Sequence, residues 1–207
     1  EPITVTIWSD VVCPFCNVTR ERAAWLSREA NVRIEWLPFD LHPEYPPEGI
    51  ARSVLVERYG DHFAAAVRTM AEDAGLPFNP HPERVPNTRT ALELTEWARA
   101  HGAVAHEQLH DRLMDAYWKE GRDITGWDEL RQCVADVGLD PDAAQVSVTA
   151  GDFAEPVDTW TRWAQSHGIS AIPAFVFEQR VLVSGAMPNE ALERAAHKAR
   201  ELMAAEG

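Results

Sequence analysis

The feature that most constrains the fold is a pair of cysteines, separated by two residues, that closely follows a strand-like segment. Residues 3–8 alternate apolar and polar side chains, a pattern typical of a strand. Cys13 and Cys16 follow, the pattern from there to Ala30 favours a helix, and residues 31–37 alternate again. Strand, helix and strand in this order indicate a βαβ unit, whose crossover we expect to be right-handed.

The C-terminal part of the chain predicts two more strands and a helix. Residues 174–177 and 180–184 are short apolar runs separated by Glu178-Gln179, which indicates a tight hairpin. Asn189 can cap a final helix that ends near Met203. Together with the opening unit, these elements predict an α/β protein with a four-stranded mixed sheet and helices on its faces.

The middle of the chain is predicted to be almost entirely helical. It interrupts the sheet, so we predict one domain formed by residues 1–45 and 156–207 and an inserted helical domain formed by residues 46–155. The proline-rich stretch at residues 77–86 is predicted to be a loop. The predicted helices comprise residues 51–59, 61–74, 88–101, 103–118, 128–137, 141–149 and 156–167.

The charge of the chain bears on its partners. Nineteen basic side chains against 33 acidic ones give a net charge of -14, which argues against binding to nucleic acid, because that requires basic patches. No apolar run approaches the length of a membrane-spanning helix. The chain has only three cysteines and its start lacks a signal-peptide pattern, so we expect a cytoplasmic protein.

The cysteine pair itself favours redox chemistry. Pro14 suits the first turn of a helix, where free backbone N–H groups favour negative charge and would hold Cys13 partly as a thiolate, the species that attacks disulfides. Cys16, one turn further on, is then the resolving thiol. A structural zinc site is an alternative, but it needs a further Cys or His pair and Cys133 is solitary. Asp10, just upstream, could oppose the thiolate.

Several residues near the motif are candidates for substrate contact. Pro173 directly precedes a predicted strand. A cis peptide bond at this proline would leave the Ile172 backbone free to pair with an extended substrate. The alternative is an ordinary trans proline that begins the strand. Pro14 and Phe15 lie between the cysteines, and Phe15 is expected to be partly exposed. Trp8 ends the first strand just before the motif and is a further candidate, although most of the eight tryptophans are expected in the core.

Three segments carry a resemblance to a known family: residues 10–16 (DVVCPFC), 168–175 (GISAIPAF) and 184–186 (SGA). They resemble the DsbA family of thioredoxin-fold proteins, and within it the FrnE-like dithiol–disulfide oxidoreductases and isomerases. Weaker similarities at residues 38–41, 59–60, 87–88 and 120–124 extend the likeness over nearly the whole chain. The long interval between Cys16 and Pro173 matches the helical insertion that is typical of this family.

The resemblance implies a thioredoxin fold with a large inserted helical domain and a thiol–disulfide oxidoreductase or isomerase. It makes Cys13 the nucleophile, Cys16 the resolving thiol and Pro173 the cis proline facing them. It also implies polypeptide or small-molecule substrates with thiols or disulfides, no bound cofactor, and glutathione as a candidate redox partner. Both a monomer and a homodimer are compatible with it. Asn17-Val18-Thr19 departs from the aromatic and small residues that usually follow the motif.

A glutathione-dependent enzyme is the second hypothesis. The kappa-class transferases and hydroxychromene-carboxylate isomerases resemble this fold, but they usually have Ser where this chain has the first cysteine. The presence of both Cys13 and Cys16 therefore favours the oxidoreductase. A non-catalytic binding module is disfavoured by the same two residues together with Pro173.

A second motif, His106-Glu107-Gln108-Leu109-His110, has the HExxH pattern of zinc proteases. The extension that many such proteases carry is absent, because Leu113 and Ala116 stand where Gly and His would be needed. We therefore predict no metal site and interpret these residues as a solvated helix face. Cys133 falls on the apolar face of its predicted helix and is expected to be buried.

Overall fold

The computed structural model describes residues 2–206 and contains a four-stranded sheet with helices on both faces. The strands are β1 (Ile3–Ser9), β2 (Val32–Pro38), β3 (Ile50–Ala51), β4 (Arg84–Val85), β5 (Ala174–Phe177) and β6 (Val181–Ser184). The helices are α1 (Pro14–Glu29), α2 (Arg52–Tyr59), α3 (Asp61–Asp73), α4 (Arg89–Arg99), α5 (Ala103–Trp118), α6 (Trp127–Asp136), α7 (Pro141–Thr149), α8 (Ala154–Ser166) and α9 (Asn189–Glu206).

The main sheet joins the two ends of the chain in the order β2-β1-β5-β6. β1 is parallel to β2, with Ile3 opposite Val32, and antiparallel to β5, with Ile7 opposite Phe175. Because α1 connects the parallel pair, the segment between β1 and α1 leaves the sheet at the carboxyl end of a central strand. The predicted mixed sheet and its βαβ and ββα elements are confirmed.

Two apolar clusters cover the two faces of the sheet. One packs α1 and α9 against the strands and includes Leu26, Phe175 and Leu192. The other contains residues of the inserted helices together with Cys13 and Cys16. The cysteine pair is therefore packed against the helical insertion.

The predicted helices agree with the observed ones to within about two residues at each end, apart from the final helix, which continues to Glu206. The main difference is a two-residue ladder between β3 and β4, which lies partly in the segment predicted to be a loop. Gly49 allows this ladder: its φ is +75°, and a Cβ added there would lie 2.4 Å from the Val85 carbonyl oxygen. Two residues show no periodicity, so the sequence carried no strand signal. The predicted domain boundaries stay a prediction.

In the described part of the chain, the helices are too short or too polar to cross a membrane.

Candidate active site

The two motif cysteines lie at the beginning of α1. Cys13 is the N-cap residue, with extended backbone angles, and Pro14 occupies the first helical position. The Cys13 carbonyl accepts hydrogen bonds from the Cys16 and Asn17 amides at 3.1 and 3.2 Å. Both cysteines are free thiols, and both are buried. The first turn of α1, described in full, has no acidic side chain to oppose a thiolate at Cys13.

The Cys16 thiol has surroundings of a different kind. It is completely buried, and burial raises its pKa well above the usual value. The neighbouring Cys13 thiol raises this pKa further through a hydrogen bond and through charge, whereas hydrogen bonds from the Asp10 backbone and the Ser9 side chain act in the opposite direction. Cys16 is therefore held as a neutral thiol, which must lose its proton before it can attack a disulfide.

The Ile172–Pro173 segment lies opposite Cys13. The peptide bond between these two residues is cis. The Cys13 thiol donates a weak hydrogen bond to the Ile172 carbonyl, with 3.8 Å between sulfur and oxygen. The Pro173 carbonyl accepts a hydrogen bond from the Gly185 amide at 2.7 Å, which ties the segment to the end of β6. The structure thus brings together Cys13, Cys16 and the residues around Pro173.

Asp10 braces the loop that carries Cys13. Its carboxylate accepts hydrogen bonds from the Val12 amide at 3.2 Å, the Leu41 amide at 2.9 Å and the Thr88 hydroxyl at 2.6 Å. Burial raises the pKa of Asp10 to about 6, although these three hydrogen bonds act in the opposite direction. Trp118 supports the same loop through a hydrogen bond to the Val11 carbonyl at 2.7 Å.

An apolar cavity of about 90 Å³ lies beside the motif, between the cysteine loop and the inserted helices. Val12 and Pro14 line one side, and Phe63 and Val67 of α3 line another. The Phe15 ring contacts the Phe63 ring edge to face, with centroids 6.1 Å apart. Phe15 is half-buried, as expected from its position between the cysteines.

Trp8, a candidate for substrate contact, has its side chain packed among other aromatic residues. Only 2 % of its surface is exposed, its ring stacks on Trp163 with centroids 5.2 Å apart, and its indole N–H donates to the Trp160 carbonyl at 3.4 Å. These contacts place Trp8 in the core beneath the loop. Cys133 is fully buried, as predicted, and burial raises the pKa of its thiol to about 11.

The HExxH residues do not form a solvated helix face. His106 and His110 are both buried on α5, whereas Glu107 and Gln108 between them are exposed. His106 is hydrogen-bonded to Arg99, and His110 contacts Ser9. Among residues 2–206, no three His, Cys, Asp or Glu side chains are arranged to hold a metal ion. The sequence missed the burial of His110 because Ser9 and Trp36, which contact its ring, are remote in sequence.

Comparison with known proteins agrees with this geometry. A probable DsbA oxidoreductase from Streptomyces coelicolor superimposes with a TM-score of 0.88, at 23% identity, over 96% of this chain and 90% of that chain. A 2-hydroxychromene-2-carboxylate isomerase gives a TM-score of 0.77 at 19% identity over 99% of both chains. The cytosolic disulfide reductase DsbM from Pseudomonas aeruginosa, solved with GSH, gives 0.67 at 16% identity over 98% of both. These likenesses establish the thioredoxin-type fold.

Comparison of the sequence with known families identifies the family as well as the fold. The family described as the DSBA-like thioredoxin domain matches residues 4–197, which include the cysteine pair, the whole helical insertion and Pro173. The chain therefore belongs to the DSBA-like thioredoxin domain family.

Proposed function

We propose that the protein is a dithiol–disulfide oxidoreductase or isomerase that works through a mixed disulfide with its substrate. The observation that carries this proposal is the arrangement of two free thiols in the first turn of α1, with Cys13 at the helix N-cap and opposite the Ile172 carbonyl. Helix N-termini favour the thiolate, and a second thiol one turn away is what resolution of a mixed disulfide requires.

In the reductive direction, the Cys13 thiolate attacks one sulfur of a substrate disulfide. The substrate S–S bond breaks, a Cys13–substrate disulfide forms, and the other substrate sulfur leaves as a thiolate that takes a proton from water. Cys16 then attacks Cys13, which releases the second substrate thiol and leaves a Cys13–Cys16 disulfide. Two electrons pass from the enzyme to the substrate, and the reverse sequence oxidises a substrate dithiol.

The cavity beside the motif supports a preference for substrates with an apolar group next to the reacting sulfur. It is lined mainly by apolar side chains, including Pro14 and Phe63, and Phe15 extends the same surface towards the cysteines. Such a group can belong to a polypeptide or to a small molecule. Pro14, Phe15 and Ile172 are thus proposed substrate contacts.

The protein that resembles this chain and was solved with GSH supports glutathione as the partner that resets the thiols. Its description as cytosolic supports a cytoplasmic location here as well. The motif segments support placement in the FrnE-like branch.

A glutathione-dependent isomerase is a second candidate, because the isomerase fold matches this chain over its whole length. In such an enzyme, Cys13 would contact the thiol of bound glutathione, and Cys16 would not be required. The presence of two cysteines at the helix start supports the first candidate instead.

The test uses Cys13→Ala and Cys16→Ala, each assayed for insulin reduction and for refolding of scrambled ribonuclease. Cys13→Ala is expected to abolish both activities, and Cys16→Ala to accumulate mixed disulfides that mass spectrometry detects. Cys133→Ala is the matched control, because that thiol lies in α6 and should leave both activities intact. If both motif variants retain full activity with glutathione and a small electrophile, the isomerase candidate replaces the oxidoreductase.

A further inference from the structure

The cavity beside the cysteine motif contains a charged side chain. Of the described residues that line it, only Arg52 of α2 carries a charge, and Tyr117 of α5 supplies a hydroxyl. Val12 and Pro14, the two neighbours of Cys13 in the chain, line the same cavity. A ligand held in this space therefore contacts the cysteine loop at one place and a guanidinium at another.

Arg52 is held by neutral groups and not by a carboxylate. Its Nε donates to the His81 carbonyl at 2.8 Å. Nη2 donates to the Arg84 carbonyl at 3.0 Å and to the Tyr117 hydroxyl at 2.7 Å. Among residues 2–206, Nη1 has no hydrogen-bond partner and no carboxylate forms an ion pair with this guanidinium. The side chain is fixed in place, but its charge is not neutralised and Nη1 can donate to a ligand.

The acidic groups next to this site do not cancel the charge of Arg52. The Asp123 carboxylate is close enough to act on the ionisation of Tyr117, but it pairs with Arg84, with 3.3 Å between Oδ2 and Nε. Tyr117 itself stays a neutral phenol, because burial raises its pKa to about 12. Neither group is therefore a free anion that would occupy the guanidinium.

A second guanidinium adds positive charge at the same cavity. Arg68 of α3 lies over the face of Phe78, which lines the cavity, with 5.3 Å from its central carbon to the ring centroid. In the described part of the chain, Arg68 also forms no ion pair. The whole chain carries a net charge of -14 and repels anions at long range, so the positive charge beside the motif is a local feature. Arginine in such a position matches a carboxylate.

The size of the cavity limits where the negative charge of a ligand can lie. Its volume is about 90 Å³, and Tyr117, which lines it, is only 1 % exposed. A space of this size accommodates one short apolar group but not a chain that continues past it. The group that meets Arg52 is therefore the end of the ligand. A terminal carboxylate satisfies both the size of the cavity and the charge of its lining.

We propose that the cavity selects disulfide substrates in which the apolar group next to the reacting sulfur ends in a carboxylate. Nη1 of Arg52 donates to this carboxylate, and the apolar part packs against Phe63 and Val67 while the sulfur reaches the cysteine loop. Arg52 is then a specificity-determining residue. Aromatic thiol acids present this chemistry, and so do peptides in which cysteine is followed by a final apolar residue. The inference rests on the proposed function, because selection of this kind requires that Cys13 attack a disulfide.

Arg52 also has a structural role, which the experiment separates from recognition. Its bonds to two carbonyls tie α2 to residues 81–84, so a substitution can lower the rate for every substrate. The measurement therefore uses pairs of substrates that differ only in charge. One pair is an aromatic disulfide with a carboxylate on each ring and the corresponding carboxamide. The other is a disulfide peptide that ends in Cys-Leu, with a free or an amidated C-terminus.

Reduced protein in a Cys133→Ala background is mixed with each substrate, and the rate constant of the first exchange is measured. Dividing it by the rate constant with a small dithiol corrects for the intrinsic reactivity of each disulfide. The variants are Arg52→Gln, which removes the charge, and Arg52→Lys, which keeps it. Arg58→Met is the matched control, because Arg58 is an exposed cation of the same helix that does not line the cavity.

In at least one pair, the parent protein is expected to prefer the acid over the amide by roughly tenfold or more, the contribution of a hydrogen bond to a charged group. A preference confined to the aromatic pair identifies a small molecule as the substrate, and one confined to the peptide pair identifies a chain terminus. Arg52→Gln should lose the preference, Arg52→Lys should keep most of it, and Arg58→Met should keep all of it. A purely structural role would lower both rates of a pair equally and leave their ratio unchanged.

The inference is wrong if the parent protein prefers the acid in neither pair, or if Arg52→Gln keeps the preference. Failure of the proposed function looks different. In that case the parent protein would react with no substrate of either charge, or Cys13→Ala would release thiol as fast as the parent.

Discussion

Two thiols three positions apart in the chain have different surroundings. Cys13 stands at the helix N-cap next to the Ile172 carbonyl, whereas Cys16 points into the core, where burial raises its pKa. The spacing and the helix start are local features, so both residues could be predicted from the sequence. The role of Asp10 could not, because Leu41 and Thr88, which bind its carboxylate, lie 31 and 78 positions away.

Asp10 makes the stability of the protein depend on pH. Its pKa is about 6 in the folded state and 3.8 for an unperturbed side chain, so the folded state binds more protons between these values. Asp10 therefore contributes its full stabilisation below pH 3.8, and this is lost as the pH rises through about 6. We therefore compare the free energy of unfolding of the wild type with that of Asp10→Asn. The difference should shift by about 3 kcal/mol in favour of the wild type as the pH falls from neutral to 3.8.

Urea titrations of both proteins at a series of pH values measure this difference. Asp152→Asn, which removes an exposed carboxyl in the turn before α8, is the control for the loss of one acidic side chain. A constant difference for Asp10→Asn would show that burial does not perturb Asp10.

At the level of elements, the sequence predicted the bounds of α2 and α3 but not the residues against which they pack. Their bounds were predicted to within a residue, since the pattern and the flanking glycines are local signals. What they face was not predicted. Every side chain of α2 is at least partly exposed, and α3 buries Val67 and Ala71 while Phe63 stays partly open at the cavity beside Pro14. Only the packing of the insertion against the cysteine loop creates that cavity.

Phe63→Ala should weaken the selection of apolar substrates. For a disulfide peptide with Leu beside the reacting cysteine, kcat/KM should fall about fivefold, which corresponds to about 1 kcal/mol of lost apolar contact. A peptide with Ser at that position should be nearly unaffected. Val104→Ala, an exposed apolar residue at the start of α5, should change neither value. Equal losses for both peptides would contradict a role of the cavity in selection.

For the molecule as a whole, the insertion is joined to the sheet by ion pairs as well as by apolar packing. The Arg89 guanidinium of α4 contacts Asp40 after β2, at 3.3 Å, Glu93 on its own helix, at 2.6 Å, and Asp158 of α8. It also donates to the Ala154 carbonyl at 2.8 Å. Asp40 is buried, which raises its pKa, and Arg89 opposes that effect. One side chain thus connects the sheet, α4 and α8.

Arg89→Met should lower the free energy of unfolding by about 2 kcal/mol, because it leaves partly buried carboxylates unpaired. Chemical denaturation at neutral pH measures the loss. Arg162→Met, which breaks the exposed pair with Glu155 on α8, should cost less than about 0.5 kcal/mol. If the two variants lose the same amount, the Arg89 cluster is no more than a surface ion pair.

The sequence alone determined the helices and the four longer strands of this protein and the position of its thiol pair, because strand alternation, helix caps and cysteine spacing act over a few residues. The tertiary structure decided what surrounds that pair. Ser9 and His110 are 101 positions apart, and Trp118 reaches Val11 across 107. His106 and His110 were interpreted as a solvated face, since nothing local indicates which elements will cover a helix. Such contacts form only when the N-terminal and C-terminal strands pair in one sheet and the inserted helices pack against it. They therefore depend on the topology of the fold, which local secondary-structure propensities do not specify.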